Sequence, residues 1–122
     1  MNSPINFSVG IWGVASVEDE PEVVLNNWQV YCVTNDSSLD NSNHLVGYEP
    51  CARQGRVSSA IKHFDPTTRT VITTSGRKYL LEGESGFDSD ANYVWGHWTH
   101  LNDIKVCTTV TDTFVKLIND VK

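Results

Sequence analysis

Apolar and polar residues alternate along much of the middle of this chain, and turn-forming residues interrupt the alternation. The clearest block is Gly55–Gly83, GRVSSAIKHFDPTTRTVITTSGRKYLLEG, which predicts three strands in succession. In Arg56–Phe64, Val57, Ser59 and Ile61 share a face by the period of two. Asp65-Pro66 opens a turn, since proline fixes its own φ and the aspartate bonds backbone donors ahead of it. Arg69–Thr74 is too rich in β-branched residues to prefer a helix. Ser75-Gly76 makes the second turn, and Lys78–Glu82 carries Tyr79, Leu80 and Leu81. The pattern predicts a meander in which these three strands are neighbours.

Upstream, Ile5, Phe7, Val9 and Ile11 alternate, which permits a first strand ending at Gly13. Acids before Pro21 favour a helix first turn, so Glu18–Asn27 reads as a short helix burying Val23, Val24 and Leu25. Trp28–Val33 reads as a strand with Trp28, Val30 and Cys32 on one face. Asn35–Asn43 is nearly all Asn, Asp and Ser, a surface loop by composition. His44–Tyr48 is a further strand, with Gly47 marking a bulge or close approach, and Glu49–Gln54 is a second loop.

Downstream, Asp88 or Ser89 can cap a helix in which Ala91, Val94, Trp95, Trp98 and Leu101 form one stripe. Trp95 and Trp98 are its expected core anchors. Tyr93, His97 and His100 lie on an adjoining stripe. Gly96 costs such a helix about 1 kcal/mol relative to alanine, which suggests a packing reason for it. Ile104–Val110 reads as a strand, and the segment from Thr111 carrying Phe114, Val115, Leu117 and Ile118 fits helix or strand. The expected fold is α+β in a single domain, 1–122. It is an antiparallel β-sheet (a meander with room for a half-barrel) of five to six strands, with one main helix packed on one face.

Charge changes this picture in one respect. The net charge is −6, yet the acids and bases are segregated. Residues 1–52 hold no Lys or Arg and include the run Glu18, Asp19, Glu20 and Glu22, whereas Arg53, Arg56, Lys62, Arg69, Arg77 and Lys78 face Asp65 alone. A basic middle between acidic flanks resembles a phosphate-binding face, but the overall acidity argues against nucleic acid. Strand-borne bases also deter edge-to-edge aggregation.

Candidate chemistry is sparse. Three separated cysteines, Cys32, Cys51 and Cys107, form neither a disulfide framework nor a zinc set and fit a reducing cytoplasmic setting. His97 and His100 could share a metal only if Asp103 or His44 completed the set, so no metal and no cofactor is expected. The Asn35–Asn43 loop lacks the glycine and terminal glutamate of an EF-hand. Cys51 with His63 or His97 could form a nucleophilic set beside Arg53 and Arg56, but no family signature surrounds it. Ser58-Ser59 lies within a strand and reads as small residues packing under the Trp95/Trp98 helix, not as a nucleophile elbow. No apolar run approaches the roughly 20 residues that span a bilayer, and no basic residue precedes an apolar segment at the N-terminus.

The segments HLVGY, GRVSSAI, FD, TTSGRKYLLEG and DANYVW, between residues 44 and 98, resemble a family of small uncharacterised bacterial proteins. Such proteins occur on mobile elements such as integron cassette arrays and prophages. The resemblance implies a fold and a genomic setting and carries over no activity or functional residue. The sequence therefore predicts a small non-catalytic interaction protein whose partner is a protein or small ligand. The residues expected to meet it are Glu18, Asp19, Glu20, Glu22, Tyr93, His97 and His100. Homodimerisation is its expected companion, because a short open sheet leaves an edge to pair. One alternative is an immunity or anti-defence protein whose acidic surface meets a basic, nucleic-acid-handling target. Another is a small enzyme using a Cys/His/Tyr pocket.

Overall fold

A computed structural model describes residues 16–34 and 41–121. The expected strand ending at Gly13 and residues 35–40 of the Asn35–Asn43 loop lie outside them. The elements run β1 (Glu22–Thr34), β2 (Asn41–Glu49), β3 (Gln54–Val57), β4 (Ile61–Asp65), β5 (Thr70–Thr73) and β6 (Lys78–Leu81). They continue through α1 (Ser89–Leu101), β7 (Val106–Thr109) and α2 (Thr111–Asp120). The strands form one open sheet in the order β3-β2-β1-β6-β5-β4, with β7 paired to β1 as well.

The fold is α+β, as the pattern predicted, but three features depart from it. The sheet is mixed, because β6 joins β1 in parallel while the other pairings are antiparallel. It has seven strands among the described residues, and two helices pack on it. Those helices cover opposite faces. Neighbouring strand residues point opposite ways, and Val30 and Leu45 belong to the cluster with Phe114 and Ile118 of α2. Tyr31 and Val46 belong to the cluster with Ala91 and Trp95 of α1.

Glu18–Asn27 is not a helix. Residues 17–19 form a turn, and Glu22–Leu25 pairs in register with Lys78–Leu81. Two consecutive valines suit a pleated surface, and the pairing buries Val23 and Leu25 against Tyr79 and Leu81. The Asn26-Asn27 pair makes a β-bulge, with Asn27 at φ 47°, a left-handed conformation that asparagine tolerates. The bulge has a packing consequence. Strict alternation would set Trp28 opposite Val23 and Leu25; one extra residue returns it to their side, where it is 1% exposed.

The meander is present as β4-β5-β6. Arg56–Phe64 is not one strand, however, but breaks at Ser58–Ala60. The chain leaves β2 there and crosses to the far edge of the sheet. Ser58 is buried at the break: its N–H donates to the Leu45 carbonyl and its hydroxyl accepts from the Leu45 N–H, both at 2.9 Å. It therefore extends the β2–β3 ladder by one residue rather than merely filling space.

Helix α1 starts where expected, with the Asp88 carboxylate accepting from Ala91 N–H at 2.9 Å. Its buried stripe is shorter than the sequence suggested: Ala91, Val94 and Trp95 are buried, Trp98 partly, and Leu101 is 58% exposed. Gly96 meets nothing where a Cβ would stand, so the packing reason expected for it is absent. Gly55 is the glycine that packing requires, since its Cβ would lie 2.4 Å from the Ala91 backbone nitrogen. The C-terminal segment is a helix, seated by Phe114 against Phe64 at 4.9 Å between ring centres.

These placements reorder the expected energetics. Trp28→Ala should cost about 3–5 kcal/mol, and Trp98→Ala distinctly less, read as shifts in urea midpoint. Gly96→Ala should raise the midpoint by the equivalent of about 1 kcal/mol; a loss of stability there would mean that Gly96 is not free.

Candidate functional site

Two concavities flank α1. The first, about 390 Å³, lies between the β2–β3 turn and the N-terminal half of the helix. It is lined by Ala52, Arg53, Gln54, Asp90, Tyr93 and Val94. Its form follows from local chemistry. The turn closes through Arg53 N–H to the Glu49 carbonyl at 2.7 Å, with Arg53 at φ 59°. Gly55 lets the helix backbone come down onto β3, so Val94 forms a floor while Tyr93, 63% exposed, stands at the rim. The Arg53 guanidinium is exposed and has no hydrogen-bond or ion-pair partner among the described residues.

A buried ion cluster anchors the base of this turn. Arg56 and Glu49 are 3% and 2% exposed, and Arg56 Nη1 bonds Glu49 Oε1 at 2.6 Å and Glu20 Oε1 at 2.9 Å. The guanidinium also sits over the Tyr79 ring at 5.9 Å. Burial opposes the Arg56 charge, but Tyr79 and Glu49 hold its pKa above the ordinary value. Burial likewise pushes the Glu49 carboxyl up, against the pull of Arg56. The pair is best read as ionised, because an unpaired buried guanidinium would cost more than the ion pair does.

The second concavity, about 300 Å³, lies at the other end of α1 and is lined by Val33, Asn41, Ser42, His44, Trp98, Asn102 and Ile104. A series of rings leads into it from the core. Tyr31 stacks on Trp95 at 4.8 Å, Trp95 on Trp98 at 5.2 Å, and Trp98 meets His44 at 4.7 Å in a tilted arrangement. His44 is buried, with Nδ1 2.9 Å from the Ser58 carbonyl and Nε2 2.8 Å from Ser42 Oγ. Burial lowers its pKa from the ordinary 6.5, against the contrary effect of the Ser58 bond.

The residues expected to meet a partner are not gathered in one place. Tyr93 lines the first groove, and His97 stacks beside it at 6.4 Å. His100 is exposed in the last helical turn, near the Asp103 carboxyl, which the Lys105 ammonium holds below its ordinary value. Of the acidic run, Glu18, Asp19 and Glu22 are exposed. Glu20 is instead structural, bonded through its side chain to Arg56 and through its carbonyl to Arg77 Nε at 2.9 Å. His44 faces Trp98 from within the sheet, and no cluster of three or more His, Cys, Asp or Glu forms among the described residues. Cys51 is exposed on the turn, and no hydrogen bond joins it to a histidine there. The Ser42/His44 pair was not legible, because Ser42 fell in the expected Asn35–Asn43 loop; β2 instead begins at Asn41, which puts Ser42 and His44 on one face of a strand.

Comparison of the chain with protein-family models, curated proteins and solved structures returned no match. The residues themselves therefore carry the functional argument.

One consequence is thermodynamic. Native His44 resists protonation, whereas the unfolded chain takes up that proton near pH 6.5. The unfolded state thus binds more protons, and stability should fall as the pH drops below that value. Urea midpoints measured across this range should show the fall, and His44→Gln should flatten it.

Proposed function

We propose that the protein works by binding, and that the groove between the β2–β3 turn and α1 receives an anionic group of its partner or ligand. The observation that carries this reading is Arg53. Its guanidinium, without a partner among the described residues, stands on a hydrogen-bonded turn beside an exposed aromatic ring. A guanidinium presents paired donors that suit carboxylate or phosphate. Tyr93 adds a rigid amphipathic surface of the kind that anchors interfaces. Asp90 across the groove is not paired with Arg53, so the site offers both signs of charge. That arrangement favours a ligand carrying an acid beside a donor, such as a peptide segment.

The turn is well suited to this role because the ion pair beneath it fixes its base. Preorganisation lowers the entropy lost on binding. The mobile-element setting implied by the resemblance over residues 44–98 is compatible with an interaction protein and forms part of the proposal.

Amide chemical shifts during titration with short acidic peptides and with inorganic phosphate give a direct test. Perturbations should centre on Arg53, Gln54 and Tyr93. Arg53→Ala should weaken binding by a factor of about 10 or more, as loss of a charge-assisted contact worth roughly 1.5–3 kcal/mol requires. Shifts centred elsewhere, or undiminished in Arg53→Ala, would reject the groove.

A further inference from the structure

The polar centre in the second concavity has the parts of a nucleophilic pair. The Ser58 carbonyl can only accept, so the His44 Nδ1 beside it at 2.9 Å must carry the ring proton. The neutral ring then offers its Nε2 lone pair, and Ser42 Oγ, 2.8 Å away, donates its hydroxyl proton to it. The hydroxyl is thus hydrogen-bonded to a base whose tautomer and orientation are fixed from behind. Catalytic serines that use a histidine base show that relation, whatever the fold or sequence order. A backbone carbonyl here occupies the orienting position that a carboxylate often fills.

The surroundings suit acyl chemistry. Ser42 is half-buried and lines the concavity together with apolar Val33, Trp98 and Ile104. The Asn102 side-chain amide borders the same space; it spends one N–H on the Trp98 carbonyl and has no partner for the other among the described residues. Amide donors of this type can stabilise charge developing on a carbonyl oxygen.

From this geometry we infer that Ser42 and His44 form a nucleophile–base pair that transfers short acyl groups from esters to water. Ser42 Oγ attacks the ester carbonyl carbon as its proton passes to His44 Nε2. The tetrahedral adduct collapses, the C–O bond to the alcohol breaks, and the leaving oxygen takes the proton from Nε2. Water then attacks the acyl-serine, giving one proton to Nε2, and collapse returns that proton to Ser42 and releases the acid. No oxidant, reductant or cofactor enters the balance. The roughly 300 Å³ space favours a short acyl chain held against Trp98, with the alcohol directed to solvent. This activity is separate from the groove at the other end of α1 and goes beyond the binding reading.

The test uses the whole folded protein and an alkyl fluorophosphonate, which serine displaces with loss of fluoride. Intact mass should rise by one phosphonyl group, and peptide fragmentation should locate it on Ser42. Labelling should vanish in Ser42→Ala and in urea-unfolded protein, and should slow by a factor of about 100 or more in His44→Gln, the usual scale of a general base. Because His44 is buried, Asn102→Ala supplies a second variant at an exposed position. It should slow both labelling and p-nitrophenyl acetate hydrolysis while the urea midpoint stays at the wild-type value. No adduct on folded wild-type protein, an adduct on another residue, or equal labelling after unfolding would overturn the inference. So would a folded Asn102→Ala protein that reacts at the wild-type rate.

Discussion

The long strand β1 has both of its edges occupied by sequence-distant parts of the chain, and most of the structure is placed by that fact. One edge carries β2. The other is filled in succession. Lys78–Leu81 comes first, then Glu82 N–H on the Leu25 carbonyl at 2.8 Å and Gly86 N–H on the Trp28 carbonyl at 3.1 Å. Val110 N–H on the Val30 carbonyl at 2.9 Å and strand β7 complete it. Buried backbone groups must find partners, so each of these segments is held at a fixed height along β1. Helix α1 lies between Gly86 and β7 in sequence, and its two ends are tied to the same strand. The two concavities beside it inherit their separation from that arrangement.

A second constraint acts at the curled end of the sheet. Arg56 of β3 reaches Glu20, ahead of β1, and the Tyr79 ring of β6. Ion pairs this deep contribute little net stability, since desolvation roughly cancels attraction. Breaking one partner is costly, however, and the cost falls on any arrangement that misplaces the β2–β3 turn. The cluster therefore acts more on specificity of geometry than on stability, and the geometry it specifies includes the position of Arg53.

Local chemistry was legible wherever the chain's own neighbours decide the outcome. The meander turns, the Asp88 cap and the strand at Trp28–Val33 follow from short-range rules. Most of the misreadings involve distant pairing. Glu18–Asn27 has helix-like acids before a proline, but Val23 and Leu25 gain more by pairing with β6 than a ten-residue helix could supply. Trp98 shares a stripe with Trp95, yet it borders the concavity beside Ser42 and His44 and so stays partly exposed. Arg56–Phe64 carries Val57, Ser59 and Ile61 at a period of two, and the break at Ser58 follows from the crossing to the far sheet edge. Glu20 looks like one more surface acid until Arg56, 36 residues away, claims it. The candidate sites were hidden for the same reason: Arg53 and Tyr93 meet only because Gly55 admits the helix, and His44 finds its orienting carbonyl 14 residues on.

That last relation links the strand break to the chemistry proposed for the second concavity. Ser58 uses its N–H and hydroxyl to finish the β2–β3 ladder, while its carbonyl serves as the acceptor that fixes His44. If the chain had continued straight from β3 into β4, that carbonyl would have been directed by an ordinary ladder. The histidine could then have taken either tautomer. The tautomer matters because the opposite one would place a proton on Nε2 and make Ser42 an acceptor, a satisfied polar contact with no nucleophilic character. The break that the alternation pattern did not show thus determines whether the Ser42 hydroxyl is activated or merely hydrogen-bonded.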